Sequence, residues 1–429
     1  MKEMKNAELL AYLHNAVKPA LGCTEPVCAA LVCAAASHAG VGAIQSLQLT
    51  VNPGLYKNGM SVAIPHFDAV GIPYAAALGA LIADPDRELQ IFDEITPQVA
   101  AQAKALVEAG RVTVTLAEGE RKLYARCTLT GSEGSAVAEI RDAHTNLVRI
   151  EKNGQVVFSK ETQNQKGGSP LEDELLASTV AQLRQAAWQL PAEDLEFLLE
   201  GITPNETMAR LGREQTSPVG IASTLESSLG NSLMERMMKL VGDSIEARLD
   251  GCPYAVTSSA GSGSKGLALL LPLAEAAREA HLDRDQLAHA VAFGHLLNNY
   301  INLKIGKLSA VCTCAVAAST SMSAALVALW GGTDEQIGYA INNMTGAVTG
   351  MICDGGKPGC ALKLAQSTAS AYLSAKMALA GHTLRSTDGI CAETPEECIR
   401  NMARIANQGM PTMDHEILDI MLHKGDHHE

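Results

Sequence analysis

The chain has 429 residues, 33 Lys and Arg against 47 Asp and Glu, and 11 cysteines, while Phe, Trp and Tyr make up 3% of it. This length suggests two domains and a core large enough to stand without covalent staples. A net charge of −14 with so few aromatic rings removes the usual holds on nucleic acid, phosphate neutralisation and base stacking; it also argues against an anionic membrane surface, but leaves room for a small acidic ligand in a local positive pocket.

The opening residues carry acids and lack the apolar stretch of an export signal, which predicts a reducing, cytoplasmic compartment where clustered cysteines are thiols, ligands or nucleophiles. Periodicity predicts a helix from Pro26 to about His38, a strand over Ser46–Val51, and alanine-rich helices over Tyr74–Ile82 and Gln98–Ala109. Five β-rich runs follow, starting at Arg111, Lys122, Ser135, Asn146 and Gln155, with short turns such as Asn153-Gly154 between them. Their spacing predicts an antiparallel β-meander with helices covering one face.

Ser159 to Pro170 has no apolar face and marks a boundary, giving an α+β domain over 1–165 and a mostly α-helical, Ala-rich domain over 166–429. Helices are predicted there over Leu171–Leu190, Ala192–Ile202, Ile221–Val241, Gly266–Ala280, Asp285–Ile301, Leu308–Trp330, Asp334–Met344, Leu362–Ala380 and Pro395–Ile405. Leu308–Trp330 is uncharged and long enough for a membrane span, but its Ala, Ser, Thr and Cys content predicts a buried central helix instead. The tail with His423, His427 and His428 reads as a solvated end.

Three places combine cysteine with unusual local structure. Cys23 lies in Gly22-Cys-Thr-Glu-Pro26, just before a helix N-terminus that favours thiolate, whereas Cys28 and Cys33 read as core residues. Cys312 and Cys314, two apart on the uncharged helix, are expected to point about 200° apart, one to a site and one into packing. Cys353-Asp-Gly-Gly-Lys-Pro-Gly-Cys360 is too rich in glycine for a regular helix, and it folds as a loop that brings both sulfurs toward one point. Structural zinc is disfavoured because no C-x-x-C knuckle is present. A buried set of three or four thiolates needs a cation, and an iron–sulfur cluster meets that need, against the alternative of scattered core cysteines.

Gly261-Ser-Gly-Ser-Lys-Gly266 matches G-x-G-x-x-G, but no second strand ending in an acid follows, so a dinucleotide site is not supported. It reads as an anion nest in which backbone N–H groups, Ser262 and Ser264 at a helix N-terminus hold a carboxylate, or as a plain helix cap. Lys57 and Asn58 are expected in a turn, and His144 and Thr145 at the start of a strand; Lys57 is a candidate base or carboxylate partner. His66 and His295 fit core or cap roles. No lysine sits in a Schiff-base context, which argues against pyridoxal phosphate.

Lys18-Pro-Ala-Leu-Gly-Cys-Thr-Glu-Pro26, Lys57-Asn-Gly59, His144-Thr-Asn146, Gly261-Ser-Gly263, Leu308-Ser-Ala-Val-Cys312 and Gly350-Met-Ile-Cys-Asp-Gly355 together resemble the L-cysteine desulfidase family, in order and spacing from about Val17 to the last helix. More distantly the chain is similar to the iron–sulfur L-serine dehydratases. The resemblance implies β-elimination of L-cysteine to pyruvate, ammonia and sulfide by a 4Fe-4S cluster without pyridoxal phosphate. It implies Cys312 and Cys353 as cluster ligands, with Cys23 as the third by the desulfidase pattern or Cys360 by the serine dehydratase pattern. In the second case Cys23 is released to act as a base. Lys57 or Cys23 would take the Cα proton, and Asn58, His144, Thr145, Gly261, Ser262 and Gly263 would hold the substrate. Ser264-Lys265 stands where the family has Asn-Gln, which leaves the substrate open between cysteine and serine. A redox or sulfur-carrier protein without turnover is the remaining alternative. The expected partner is a small amino acid, with no nucleic acid or membrane; homo-oligomerisation is left open.

Overall fold

A computed structural model describes residues 6–117, 119–120, 122–160, 170–215, 217–306 and 309–424. In the first half, helix α1 (Asn6–Ala16), strand β1 (Pro19–Ala20), helix α2 (Thr24–His38), strand β2 (Ile44–Val51) and helices α3 (Pro53–Gly59), α4 (Ile72–Ile82) and α5 (Pro97–Glu108) precede a run of strands. These are β3 (Val112–Leu116), β4 (Tyr124–Gly131), β5 (Gly134–Arg141), β6 (Leu147–Lys152) and β7 (Gln155–Ser159). They complete a six-stranded sheet in the order β3-β2-β4-β5-β6-β7.

The predicted meander holds for β4 to β7, each antiparallel to the next. Its first run departs from the prediction. β3 pairs parallel with β2, which is inserted between β3 and β4 so that Leu49 faces Val114 on one side and Cys127 on the other. Three helices lie between β2 and β3, and a helical crossover returns the chain to the same end of the sheet, which makes the neighbour parallel.

Helix α2 is buried from Pro26 to Ala36, with the sheet on one side and α4 on the other. The two helices touch backbone to backbone: a Cβ on Gly79 would stand 2.0 Å from the carbonyl oxygen of Ala30. Alanines and cysteines fill this contact because larger rings do not fit, which accounts for the low aromatic content.

The second half is helical: α6 (Pro170–Ala177), α7 (Val180–Gln189), α8 (Glu196–Glu200), α9 (Ile202–Glu214), α10 (Ile221–Ser228) and α11 (Leu233–Leu249), then strand β8 (Val256–Thr257). There follow α12 (Gly263–Glu279), α13 (Arg284–Ile305), α14 (Ala317–Leu329), α15 (Asp334–Val348), α16 (Cys360–Leu379), α17 (Pro395–Arg404) and α18 (Pro411–Leu422). The predicted helix Leu171–Leu190 is two helices, because Thr179 opens a capping box with Gln182; Ile221–Val241 restarts likewise at the Ser232–Glu235 box. Helices α1, α3, α9 and α18 were not predicted. The Gly167-Gly168-Ser169 linker, Leu308, His427 and His428 lie outside the described residues.

No helix among the described residues is long and apolar enough to cross a membrane. The uncharged segment is the buried central helix α14, but it is helical only from Ala317. Before that, Val311 forms an antiparallel bridge with Ile352. A second small ladder pairs β1 with β8, Pro19 opposite Thr257 and Ala20 opposite Val256. These two links bring distant segments together.

Candidate functional site

The β1–β8 ladder sets Gly22-Cys23 beside the glycine stretch at 261–266, and hydrogen bonds from Lys18 N to Ser258 Oγ (3.1 Å) and from Ser258 N to Lys18 O (2.8 Å) extend it. The Val311–Ile352 bridge is flanked by Cys312 N to Met351 O at 2.9 Å and Cys353 N to Ala310 O at 2.7 Å. Side chains alternate along a ladder, so Cys312 and Cys353 share the face opposite Val311 and Ile352, as a diagonal pair whose Cα atoms stand about 7–8 Å apart.

Cys360 is the first residue of α16, and its thiol donates to the carbonyl of Gly355 at 3.6 Å. The intervening loop is locked by Asp354, which receives Lys357 and Lys363. Burial alone would raise the Asp354 carboxyl, but the two ammonium groups bring it down to about 2. Burial pushes the Cys312 thiol well above its usual range, reinforced by the charges of Cys314, Cys353 and Cys360. Burial likewise lifts Cys360 to about 11, with Cys314 and Cys353 adding to the rise.

Cys314 corrects the prediction. Residues 313–316 form a turn rather than a regular helix, and Cys314, half-buried, packs against the same core as Cys353 and Cys360 instead of facing away from them. Its sulfur lies 3.8 Å from Ser262 Oγ. Burial raises its pKa, Cys353 adds to the rise, and Lys265, Ser262 and Arg248 oppose it.

Cys23 caps α2, yet its thiol is not turned to thiolate by the helix end as predicted. It donates to Glu25 Oε2 at 2.7 Å, and burial together with the Glu25 charge pushes its pKa well up. Glu25 also accepts from Thr24 Oγ1 at 3.2 Å and from Asn58 Nδ2 at 3.2 Å. Burial would raise the Glu25 carboxyl; His144, Cys23 and Asn58 outweigh it, and the net shift is downward.

Lys57 and Asn58 lie on α3 rather than in the expected turn, because Pro53 is tolerated at the first position of a helix. Asn58 Oδ1 accepts from Cys353 Sγ at 3.7 Å, and its carbonyl accepts from Gly356 N at 3.3 Å, which ties α3 to the cysteine loop. Lys57, 3% exposed, points elsewhere: Nζ pairs with Asp414 on α18 at 2.5 Å and donates to Ser309 O at 3.4 Å. His144 lies in a turn before β6, not in the strand, within reach of the Glu25 charge. Thr145 beside it is exposed. Gly261 is exposed in a left-handed bend, Ser262 caps α12 and Gly263 opens it.

Four contributors went unrecognised: Glu25, taken only as a cap; Cys314; Lys265, visible only as the cation in the glycine stretch; and Arg248, which carries no motif. Lys265 and Arg248 are 5% and 4% exposed. Burial lowers both, and nearby thiols with Glu25 counteract it.

Among the described residues, no three His, Cys, Asp or Glu side chains are grouped to hold a metal ion. Thiolates around one ion with bonds of about 2.3 Å stand under about 4 Å apart. A cluster takes each cysteine on a different iron and needs wider spacing. Cys312, Cys353 and Cys360 supply three thiols that act on one another, and the buried Lys265 offsets negative charge there, so the donor set fits an iron–sulfur cluster.

Comparison with known proteins places the chain in a family. A UPF0597 protein of Alkaliphilus oremlandii is 36% identical over 98% of each chain, and one of Clostridium tetani is 36% identical over 96% of this chain and 98% of its own. A UPF0597 protein of Porphyromonas gingivalis is 33% identical over 97% of this chain and 98% of its own. The family model of the serine dehydratase alpha chain matches residues 86–419, most of the length, with Cys312, Cys314, Cys353 and Cys360 inside the match and Cys23 outside it, and the chain belongs to that family.

Proposed function

We propose that the protein is an iron–sulfur lyase that eliminates the β-substituent of L-cysteine, giving pyruvate, ammonia and sulfide. The observation that carries this is that the 311–352 bridge and the cysteine loop bring Cys312, Cys353 and Cys360 together, with Asn58 linking Cys353 to the carboxylate of Glu25. Cys312 interacts with Cys353 and Cys360, whereas Cys23 is engaged by Glu25, which supports Cys360 as the third ligand. When bound, a cluster on three thiolates supplies a Lewis-acidic iron that draws off the β-substituent.

Glu25 is the proton acceptor for Cα, since a carboxylate fed by Cys23, Thr24 and Asn58 is anionic at neutral pH and already aimed. Cys23 stays a thiol and fixes the carboxylate by donating to it. Lys57, occupied by Asp414, holds α18 against α3 instead of acting as a base. His144 steadies the Glu25 charge. The resulting aminoacrylate takes up water and releases ammonia unaided.

L-serine is the second reading, favoured by the family match, with water leaving in place of sulfide. Ammonia release from L-cysteine and L-serine by anaerobically purified protein separates the two. Faster release from cysteine, with sulfide, is expected. Release from serine alone favours the second reading, and release from neither rejects both.

A further inference from the structure

A substrate carboxylate must be held near Glu25 and the thiols, and one wall of this region is built for an anion. Arg248, on α11, donates through Nη2 to the carbonyl of Gly22 and through Nη1 to Ser264 Oγ at 3.5 Å. Its Nε is buried with no hydrogen-bond partner among the described residues. That Nε is aimed at the first turn of α12: a Cβ on Gly263 would stand 2.5 Å from it, so glycine is needed for the guanidinium to lie there.

Helix α12 has 17 residues and receives no side-chain cap from Ser262. Its first N–H groups have no acceptor within the helix, and this end carries the positive pole of the helix dipole. Lys265, in the same turn, uses one N–H on Asn302 Oδ1 at 2.5 Å. Asn302 donates to Asn298, and Asn298 to Ser259 Oγ at 2.8 Å, so the ammonium is fixed by a chain of buried amides. Two buried cations and a helix N-terminus thus share one space, and Glu25 is the carboxylate within reach of both.

We propose that Arg248, with the first turn of α12 and Lys265, seats the α-carboxylate of the substrate and selects ligands that carry a free one. A guanidinium pairs with a planar carboxylate through a fixed fork, which an ammonium does not reproduce. The proposal rests on the lyase reading for the substrate being an amino acid.

The test is equilibrium binding of L-alanine, which has no β-leaving group, and of L-alaninamide, in which an uncharged carboxamide replaces the carboxylate, to the anaerobic holoenzyme by calorimetry. The wild type is expected to bind L-alanine and to bind the amide about tenfold to a hundredfold more weakly. Arg248→Met should weaken L-alanine by a similar factor, and Arg248→Lys by less, with visible absorbance and iron content retained. Equal binding of acid and amide by the wild type, or wild-type affinity for L-alanine in Arg248→Met, overturns the seat. If Arg248→Met misfolds or loses iron, the wild-type ligand pair and the Lys variant still decide. Acid–amide discrimination by a wild type that turns over neither cysteine nor serine leaves the seat standing and removes the lyase reading. Turnover with no acid–amide difference does the reverse.

Discussion

Two sets of thiols sit in this chain in opposite company, the first fully buried and the second, apart from Cys312, half-buried. Cys28 and Cys33 on α2 and Cys127 on β4 lie in the core between the sheet and α4, among alanines, leucines and valines. Cys312, Cys314, Cys353 and Cys360 lie where the 311–352 bridge and the first turn of α16 meet. Burial raises Cys28 and Cys33, just as it raises Cys312, Cys314 and Cys360. The difference is in the neighbours. Lys265, Arg248 and Lys357 act on the second set. The charges felt by Cys33 are those of other thiols. Burial alone makes a thiol inert; irregular backbone with fixed cations makes it ready to ligate.

The comparison can be broken at several points. Cys353→Ala should abolish both iron binding and ammonia release, whereas a variant with full iron would erase the distinction between the sets. Glu25→Gln should keep the iron and lose about a hundredfold to ten-thousandfold in kcat, as measured by steady-state kinetics. His295 tests the frame behind the second set: it is buried, pairs through Nδ1 with Ser259 Oγ at 2.8 Å, and burial lowers its pKa to about 3. An unfolded histidine titrates near 6.5, so between these values the unfolded chain binds more protons. Stability is therefore full above about pH 6.5 and falls as the pH drops toward 3, and His295→Asn should flatten that slope in denaturant titrations. Cys33→Ala, in the first set, should cost about 1 kcal/mol through a small cavity and leave iron and turnover unchanged.

Much of this was legible in the sequence. The helices and strands follow periodicity, and the glycine-rich 353–360 segment announces a loop that places Cys360 near Cys353. What escaped depends on pairing across long stretches of chain. The insertion of β2 between β3 and β4 leaves no local trace, since each strand looks the same beside any partner. The apolar run from Leu308 reads as one helix, whereas the bridge to Ile352 that unwinds its start is a non-local contact. Lys57 looked like a free cation because its partner, Asp414, lies near the other end of the chain. Arg248 had no motif at all, and only the approach of α11 to Gly263 reveals it.

The central claim is that Cys312, Cys353 and Cys360 hold an iron–sulfur cluster where the substrate reacts. Iron content and ammonia release, measured on the same anaerobic samples of wild type and Cys353→Ala, test it most directly. The account predicts about four irons per chain with turnover of L-cysteine in the wild type, and the loss of both in the variant. Turnover by an iron-free wild-type sample, or by Cys353→Ala at the wild-type rate, would contradict it.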